Sequence, residues 1–441
     1  MAHPLDALYA LGLTAASPWL AWRAFTRGRD GYLRLLAGYP CPPRSGAAPL
    51  AWFHGVSLGE VNLLATVIRA FRARHPDWQV GITASTPAGM AEAGRRFAGD
   101  SLVACFCWDF TWQLERVFTA WNPSLVILAE SQLWPNWLRL ARKRGVPVAV
   151  INGRMSPKSA AGWRKRAWLA RRIFPGVHSW AVQDPSMADT LSAMGVDANA
   201  IAVTGSVKFD GAKGDTGQPL LAALRAQWGV SEGAPVWVAG STQEQEEPLI
   251  LDAYLRLRKR FPELRLVLVP RQPDNFEASA RRLVELGIPF LNRATGACIP
   301  AGSSPHVLLL NTTGELGAAW GLGTVAFVGG SLDGKRGGQN PIEAAAFGLP
   351  VCFGPHVWNF QDITRQLIGA GGALWVAAQG DVAQHLADCL GHWLEYPAEA
   401  QYLGRRGQEF VARQQGATDR TLDFLQARGL IPPAPGARVA G

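Results

Sequence analysis

From residue 48 onward, short apolar runs alternate with stretches in which apolar residues recur every three or four positions. Runs at 48–53, 79–84, 102–106, 125–129, 146–151 and 201–204 form one series; runs at 236–239, 264–269, 307–310 and 325–328 form a second. Each run has the length and composition of a buried strand, and the stretches between them have the 3.6-residue period of helices with one apolar face. Strand and helix in strict alternation build parallel sheets, so the pattern predicts an α/β protein of two Rossmann-like domains with a cleft between them. The boundary falls between Gly205 and Pro219, where Gly211, Gly214 and Gly217 interrupt the periodicity. Ligands of such sheets bind at the carboxyl ends of strands, and His54, Glu130, Lys208, Ser241, Arg271 and Gly330 all fall at such ends.

The N-terminus has a different character. Residues 5–25 are mostly apolar and about one membrane thickness long as a helix, with Arg23, Arg27, Arg29 and Arg34 at and beyond the end. The segment predicts an anchor. No positive charge precedes it, which excludes the pattern of a cleaved signal peptide, and the arginines after it place the body of the protein on the cytoplasmic side. Asp6 and Pro18 interrupt the run, so two forms are open: a spanning helix, or a monotopic one lying in the interface.

Composition narrows the partners. The chain has 441 residues, enough for two full cores, and a formal charge of +9 that favours anionic partners: nucleic acid, a membrane surface or a phosphorylated substrate. Its six cysteines are scattered without a CxxC, so neither a zinc site nor a disulfide framework is predicted, and a reducing cytosolic compartment fits.

The sharpest local feature is His54-Gly55-Val56-Ser57-Leu58-Gly59-Glu60, a histidine, a serine and a carboxylate on one strand-to-helix turn. Ser57 and Glu60 have the spacing of a capping box, which explains two of the three polar residues without any chemistry. His54 is left unexplained. In the second half, the glycines at 329–330 and 337–338 offer backbone amides near a helix start led by Pro341, where an anion is expected. Glu343 could accept from a ribose diol, and Arg271 could meet a phosphate. Residues 163–172 interleave tryptophan with arginine and lysine, suited to lipid headgroups or to a solvated helix; nothing matches a nucleic-acid motif.

Taken together these segments resemble one family. HGVSLGE at 54–60, TASTPAG at 83–89, AESQLWPN at 129–136, NGRMSPKS at 152–159, TGSVKFD at 204–210, AGSTQEQEE at 239–247, PRQPDNF at 270–276, TGEL at 313–316 and the block from 329 to 362 are similar, nearly end to end, to the 3-deoxy-D-manno-octulosonic acid (Kdo) transferases of lipopolysaccharide synthesis. The resemblance implies a GT-B fold with an anchor at 1–34, an acceptor-binding domain at 35–210, a CMP-sugar-binding domain at 211–425 whose last helix can cross back, and a tail at 426–441. It implies inverting transfer of Kdo from CMP-Kdo to a lipid A precursor (lipid IVA) at the cytoplasmic face of the bacterial inner membrane, with no metal and no cofactor beyond the donor.

Residue by residue, the resemblance implies Glu60 as general base and Glu130 and Lys208 as stabilisers of the transition state. It assigns Pro270, Arg271, Thr313, Gly314, Glu315, Gly338, Gln339, Asn340 and Glu343 to the nucleotide. His54, Ser57, Gly59, Arg154 and Lys158 are candidates for acceptor binding or support. The chain departs from the family pattern at Gln132, Gln272, Asn275, Asn311 and Gln339, where amides replace titratable groups and can alter donor choice. The alternatives are a divergent CMP-sugar transferase, a non-catalytic nucleotide- or lipid-binding paralogue, and a GT-B-like sugar-nucleotide epimerase.

Overall fold

Seven parallel strands form the first sheet: β1 (Leu50–Gly55), β2 (Gln79–Ala84), β3 (Leu102–Cys105), β4 (Leu125–Ala129), β5 (Val148–Gly153), β6 (Ser179–Val182) and β7 (Ile201–Val203). Their order is β3-β2-β1-β4-β5-β6-β7, so the chain winds outward from β1 in one direction and from β4 in the other. The computed structural model describes residues 4–27 and 41–433, with 107, 213 and 232 excepted. The chain divides into two compact units, Met1–Gly211 with Gln415–Gly441, and Ala212–Gln414.

Both faces of the first sheet are buried, which is why its strands read as continuous apolar runs rather than as alternations. Along β1, Leu50 and Trp52 join a cluster with Phe118, Trp121, Trp137 and Trp180, while Ala51 and Phe53 point the other way into a cluster with Val61, Leu64 and Phe71. The C-terminal helix Ala417–Ala427 belongs to this second face: Leu422 and Leu425 enter the cluster. Asp210 accepts from the amides of Gly416 (2.7 Å) and Thr418 (2.5 Å), capping a helix start that lacks a side-chain cap of its own.

In the second unit the strands are β8 (Val236–Thr242), β9 (Arg265–Pro270), β10 (Phe290–Asn292), β11 (Cys298–Ile299), β12 (Val307–Leu309), β13 (Val325–Val328), β14 (Val351–Phe353) and β15 (Ala373–Trp375). The order is β11-β10-β12-β9-β8-β13-β14-β15, parallel throughout except for the β10–β11 pair. Winding reverses between β8 and β13.

The N-terminal segment forms the helix Pro4–Arg27, with Pro18 inside it, but none of the described helices is long and apolar enough to cross a membrane. Of the two forms the sequence leaves open, the spanning one finds no support here, and the first turns of the helix contact the protein itself. Asp6 is buried; its Oδ1 accepts from the amide of Thr111 (2.9 Å) and from Asn136 Nδ2 (3.0 Å). Tyr9 donates to Asp109, 3.1 Å away, and Asp109 in turn accepts from the amides of Asn136 (2.8 Å) and Trp137 (2.9 Å). The helices Thr111–Trp121 and Pro135–Lys143 begin without a local side-chain cap, so Asp6 and Asp109 supply both from a distance. Burial, together with Asp6, pushes Asp109 up to about 7 against the amides that favour its anion.

Candidate active site

Glu60 sits in the first turn of the helix Leu58–Arg74, immediately after β1, and is only 8 % exposed. Its Oε2 accepts from the amide of Val56 (2.6 Å), its Oε1 accepts from Ser57 Oγ (3.2 Å), and Ser57 Oγ accepts from the Glu60 amide (3.4 Å). The capping arrangement is therefore present, shifted by one residue from the usual box. Its hydrogen bonds do not offset the cost of burying the carboxylate. Burial pushes Glu60 above the ordinary glutamate range; the Val56 amide opposes this, the nearby Glu130 adds to it, and Ser57 and Arg154 oppose it.

Glycines make this turn possible. A side chain at Gly55 would stand 2.9 Å from Glu60 Cβ, and one at Gly89 would stand 3.2 Å from the Val56 carbonyl oxygen. That carbonyl accepts from the amide and hydroxyl of Thr86, both at 3.0 Å, so the segment 83–89 buttresses the turn. The Gly89 and Thr86 contacts join segments distant in sequence, which no local pattern signals.

Glu130 follows β4, the neighbour of β1, at the point where the winding reverses. It holds φ +56°, a left-handed backbone that costs a non-glycine residue free energy and is retained where the surroundings enforce it. Its Oε1 lies 3.0 Å from Arg154 Nε and 3.8 Å from Lys208 Nζ. Arg154 follows β5, where Ser131 Oγ donates to its carbonyl at 2.5 Å. Lys208 is carried by a single turn, Val207–Phe209, whose first amide donates to Asn152 Oδ1 (3.0 Å); Asn152 itself holds φ +53°. Burial lowers the Lys208 ammonium below the ordinary lysine range, while Glu130 and Glu60 oppose that shift.

Glu60, Glu130, Arg154 and Lys208 thus form one electrostatic cluster at the carboxyl ends of the first sheet, where α/β sheets bind ligands. Three other sequence candidates take no part in this cluster. His54 is fully buried, its ring tilted against Phe106 and edge-on to Trp137 at centroid distances of 4.7 and 5.0 Å, with Nδ1 bonded to Thr83 Oγ1 (2.9 Å). Trp52 Nε1 donates to the same hydroxyl, which leaves its proton for His54 Nδ1 to accept. Burial lowers His54 to about 3: it is a neutral core histidine. Lys158 is exposed in the helix Pro157–Lys165, and a side chain at Gly59 would meet Ser57 Oγ at 3.9 Å, an ordinary contact.

In the second unit, Arg271 follows β9 and donates through Nε to Gln339 Oε1 (3.1 Å). Asn340 Nδ2 reaches Glu343 Oε1 at 3.5 Å, and its Oδ1 accepts from the amide of Ile342 (3.1 Å). Burial pushes the Glu343 carboxyl upward; Asn340 and the nearby Arg271 counter it. Arg271, Gln339, Asn340 and Glu343 are brought together. Glu315 is paired instead with Arg293 (2.8 Å), which holds it below the ordinary range, and stands with Thr313 and Gly314 (φ +90°) beyond β12. Of the other amides, Asn311 Oδ1 accepts from Ala294 N (2.9 Å), a loop-closing bond.

The glycine-rich loop differs from expectation. The amides of Gly330 (2.7 Å), Ser331 (2.8 Å) and Leu332 (2.8 Å) all donate to the carboxylate of Glu246, and those of Gly338 and Gln339 donate to the carbonyls of Gly330 and Gly329. The anion in that loop is the protein's own Glu246. Among the described residues, no group of three or more His, Cys, Asp or Glu is arranged to hold a metal ion.

Residues 34–211 match the family described as 3-deoxy-D-manno-octulosonic-acid transferase (kdotransferase). A 3-deoxy-D-manno-octulosonic acid transferase of Bordetella pertussis is 34 % identical over 440 residues, spanning 95 % of this chain and 98 % of that one. The chain belongs to the Kdo transferase family. A second transferase of that name, from Haemophilus influenzae, is 31 % identical over 387 residues, 88 % of each chain. The solved UDP-GlcNAc 2-epimerase of Neisseria meningitidis bound to UDP-GlcNAc aligns with a TM-score of 0.56 at 14 % identity, covering 86 % of this chain and 99 % of that one. At that identity the likeness concerns the fold alone. The transferase is a glycosyltransferase built on two sheets of this type, and its Glu60 cluster lies inside the stretch matched by the family.

Proposed function

We propose that this Kdo transferase moves Kdo from CMP-Kdo to a lipid A precursor of the lipid IVA type, with Glu60 as general base. The observation that carries the reading is Glu60 itself: a carboxylate with a raised affinity for protons, fixed by the Val56 amide and Ser57 Oγ, beside Glu130 and Lys208. In the proposed step a hydroxyl oxygen of the acceptor sugar attacks the anomeric carbon of Kdo from the face opposite CMP. The bond from that carbon to the CMP phosphate oxygen breaks, the hydroxyl proton passes to Glu60, and CMP leaves as an anion with its electron pair. Configuration inverts in the single displacement.

Lys208 supplies positive charge toward the anionic donor, and Glu130 supplies negative charge toward the cationic sugar as the bond breaks. The Arg154 and Lys208 contacts to Glu130 Oε1 hold that carboxylate in place. Arg271, Gln339, Asn340 and Glu343 take the nucleotide, with Glu343 toward the ribose hydroxyls and Arg271 toward the phosphate. Residues Thr313, Gly314 and Glu315 complete the loops on that side. The reaction so written draws on no metal.

The acceptor is a membrane lipid, so the protein works at the inner face of the bacterial inner membrane. Support comes from the surface at 163–172: Trp168 is 72 % exposed and flanked by exposed Arg164, Lys165, Arg166, Arg171 and Arg172, whereas Trp163 packs on Phe174 at 5.0 Å. Leu8 and Leu11 are exposed on the N-terminal helix, which fits a helix lying against the interface. The test is to incubate detergent-solubilised protein with CMP-Kdo generated in situ and lipid IVA, and to follow the mass of the lipid. A gain of Kdo mass supports the reading; no gain beside an active control transferase refutes it.

A further inference from the structure

Two consecutive glutamates, Glu246 and Glu247, lie at the start of the helix Glu247–Arg260, and both are 0 % exposed. Neither belongs to the residues assigned above to the nucleotide or to the reaction. They sit where the winding of the second sheet reverses, between β8 and β13, the place where such sheets bind ligands.

Their partners differ. Glu246 Oε2 accepts from the amides of Gln243 (3.1 Å) and Gly330 (2.7 Å), and Oε1 from those of Ser331 and Leu332 (both 2.8 Å). Four amides on one carboxylate fix the loop after β13, from which Gln339 and Asn340 hang through the Gly338–Gly330 and Gln339–Gly329 bonds. Glu247 Oε1 accepts from Thr242 Oγ1 (3.1 Å) and Ser279 Oγ (2.8 Å), and Oε2 from Arg282 Nη1 (2.8 Å). Ser279 and Arg282 belong to the helix Phe276–Glu285, which begins directly after the loop bearing Arg271.

We propose that Glu246 and Glu247 are positioning residues of the donor site, one carboxylate setting the glycine-rich loop that carries Gln339 and Asn340, the other setting the loop that carries Arg271. The backbone amides at 330–332 are filled by Glu246, so the donor phosphate is recognised by side chains, with Arg271 foremost, and not by a nest of glycine amides. Two further features agree. Gly330 holds φ +71°, the geometry that turns these amides toward one point, and a side chain at Gly329 would stand 2.6 Å from the Ser241 carbonyl oxygen and 3.0 Å from Glu246 Oε2. Burial raises both glutamates' affinity for protons while their donors favour the anions.

The inference rests on the reading of Arg271, Gln339, Asn340 and Glu343 as the nucleotide site. The test uses the full-length protein and CMP as the probe, comparing Glu246→Gln, Glu247→Gln and Arg271→Ala by calorimetric titration, donor KM and kcat, and amide exchange over 328–340. Both Gln variants are expected to weaken CMP and raise donor KM by on the order of tenfold with kcat little changed, as expected when one charged hydrogen-bond partner is lost. Glu246→Gln should also speed exchange at 330–332. A role in folding alone would lower Tm and leave the KM of the folded protein unmoved. If Arg271→Ala weakens CMP and both Gln variants bind it like the wild type, the positioning role is overturned and the donor site stands. If none of the three weakens CMP, the donor site itself is wrong and the inference falls with it. Should Glu246→Gln fail to accumulate, Glu246→Asp, which keeps the charge but shortens the reach, is measured in the same way with the same two outcomes.

Discussion

Arg154 Nε stands 3.0 Å from Glu130 Oε1, and this ion pair fixes a carboxylate close enough to Glu60 to raise that residue's affinity for protons. The pair therefore controls a pH dependence. With Glu60 as the proposed general base, which works only when ionised, activity is expected to fall as pH drops through the Glu60 pKa, which lies above the ordinary 4.5. In Glu130→Gln a repulsive negative charge is removed, the Glu60 anion is stabilised, and the acid limb of kcat/KM moves to lower pH. On the alkaline side, Lys208 titrates below its ordinary 10.5, so an alkaline limb that depends on it falls earlier than for a solvated lysine. A kcat/KM profile across pH for wild type and Glu130→Gln checks both signs.

Gly55→Ala places a methyl group 2.9 Å from Glu60 Cβ and 3.2 Å from Leu64 Cδ1. The helix start must shift, and Glu60 with it. The expected result is a loss of kcat on the order of tenfold to a hundredfold, the scale of a misplacement near one ångström, with CMP affinity preserved. Steady-state kinetics beside a CMP titration separate the two.

Asp6→Ala distinguishes a docked helix from an anchor buried in lipid. Here Asp6 caps the helix Thr111–Trp121 and binds Asn136, so its loss should destabilise the first unit by about 1–2 kcal/mol. For a helix spanning the bilayer, replacing a buried aspartate would stabilise insertion instead. Thermal unfolding in detergent reads the sign.

Trp168→Ala combined with Arg171→Ser and Arg172→Ser should weaken binding to vesicles rich in anionic lipid by on the order of tenfold or more, since each basic residue near such a surface contributes about 1 kcal/mol. Binding of the wild type should fall with added salt. Vesicle sedimentation at two ionic strengths provides the measurement.

The sequence marks some parts of this fold sharply and others not at all. The strands Gln79–Ala84, Leu125–Ala129 and Val325–Val328 coincide with their apolar runs because each is buried on both faces and bounded by turn residues. The strand Ser179–Val182 begins on a polar residue, and Phe290–Asn292, Cys298–Ile299, Val351–Phe353 and Ala373–Trp375 are too short for a period to register. Within the site, Glu130 and Lys208 are visible at strand ends, while Glu60 and Arg154 are visible because they lie in the segments 54–60 and 152–159 that carry the family resemblance. Gly89, Ser131 and Asn152 act through contacts with distant segments, and a local pattern carries no sign of them. The glycine-rich loop misleads for the same reason, since Glu246 already occupies its amides, and the apolar N-terminal run gives no sign that Asp6 caps a helix more than 100 residues away.

The most direct test replaces Glu60 with glutamine and follows transfer of Kdo from CMP-Kdo to lipid IVA by product mass, with CMP affinity measured on the same preparation. With Glu60 as the base, kcat falls about a hundredfold or more while CMP binds as in the wild type. A Glu60→Gln protein that transfers Kdo at the wild-type rate would contradict the mechanism.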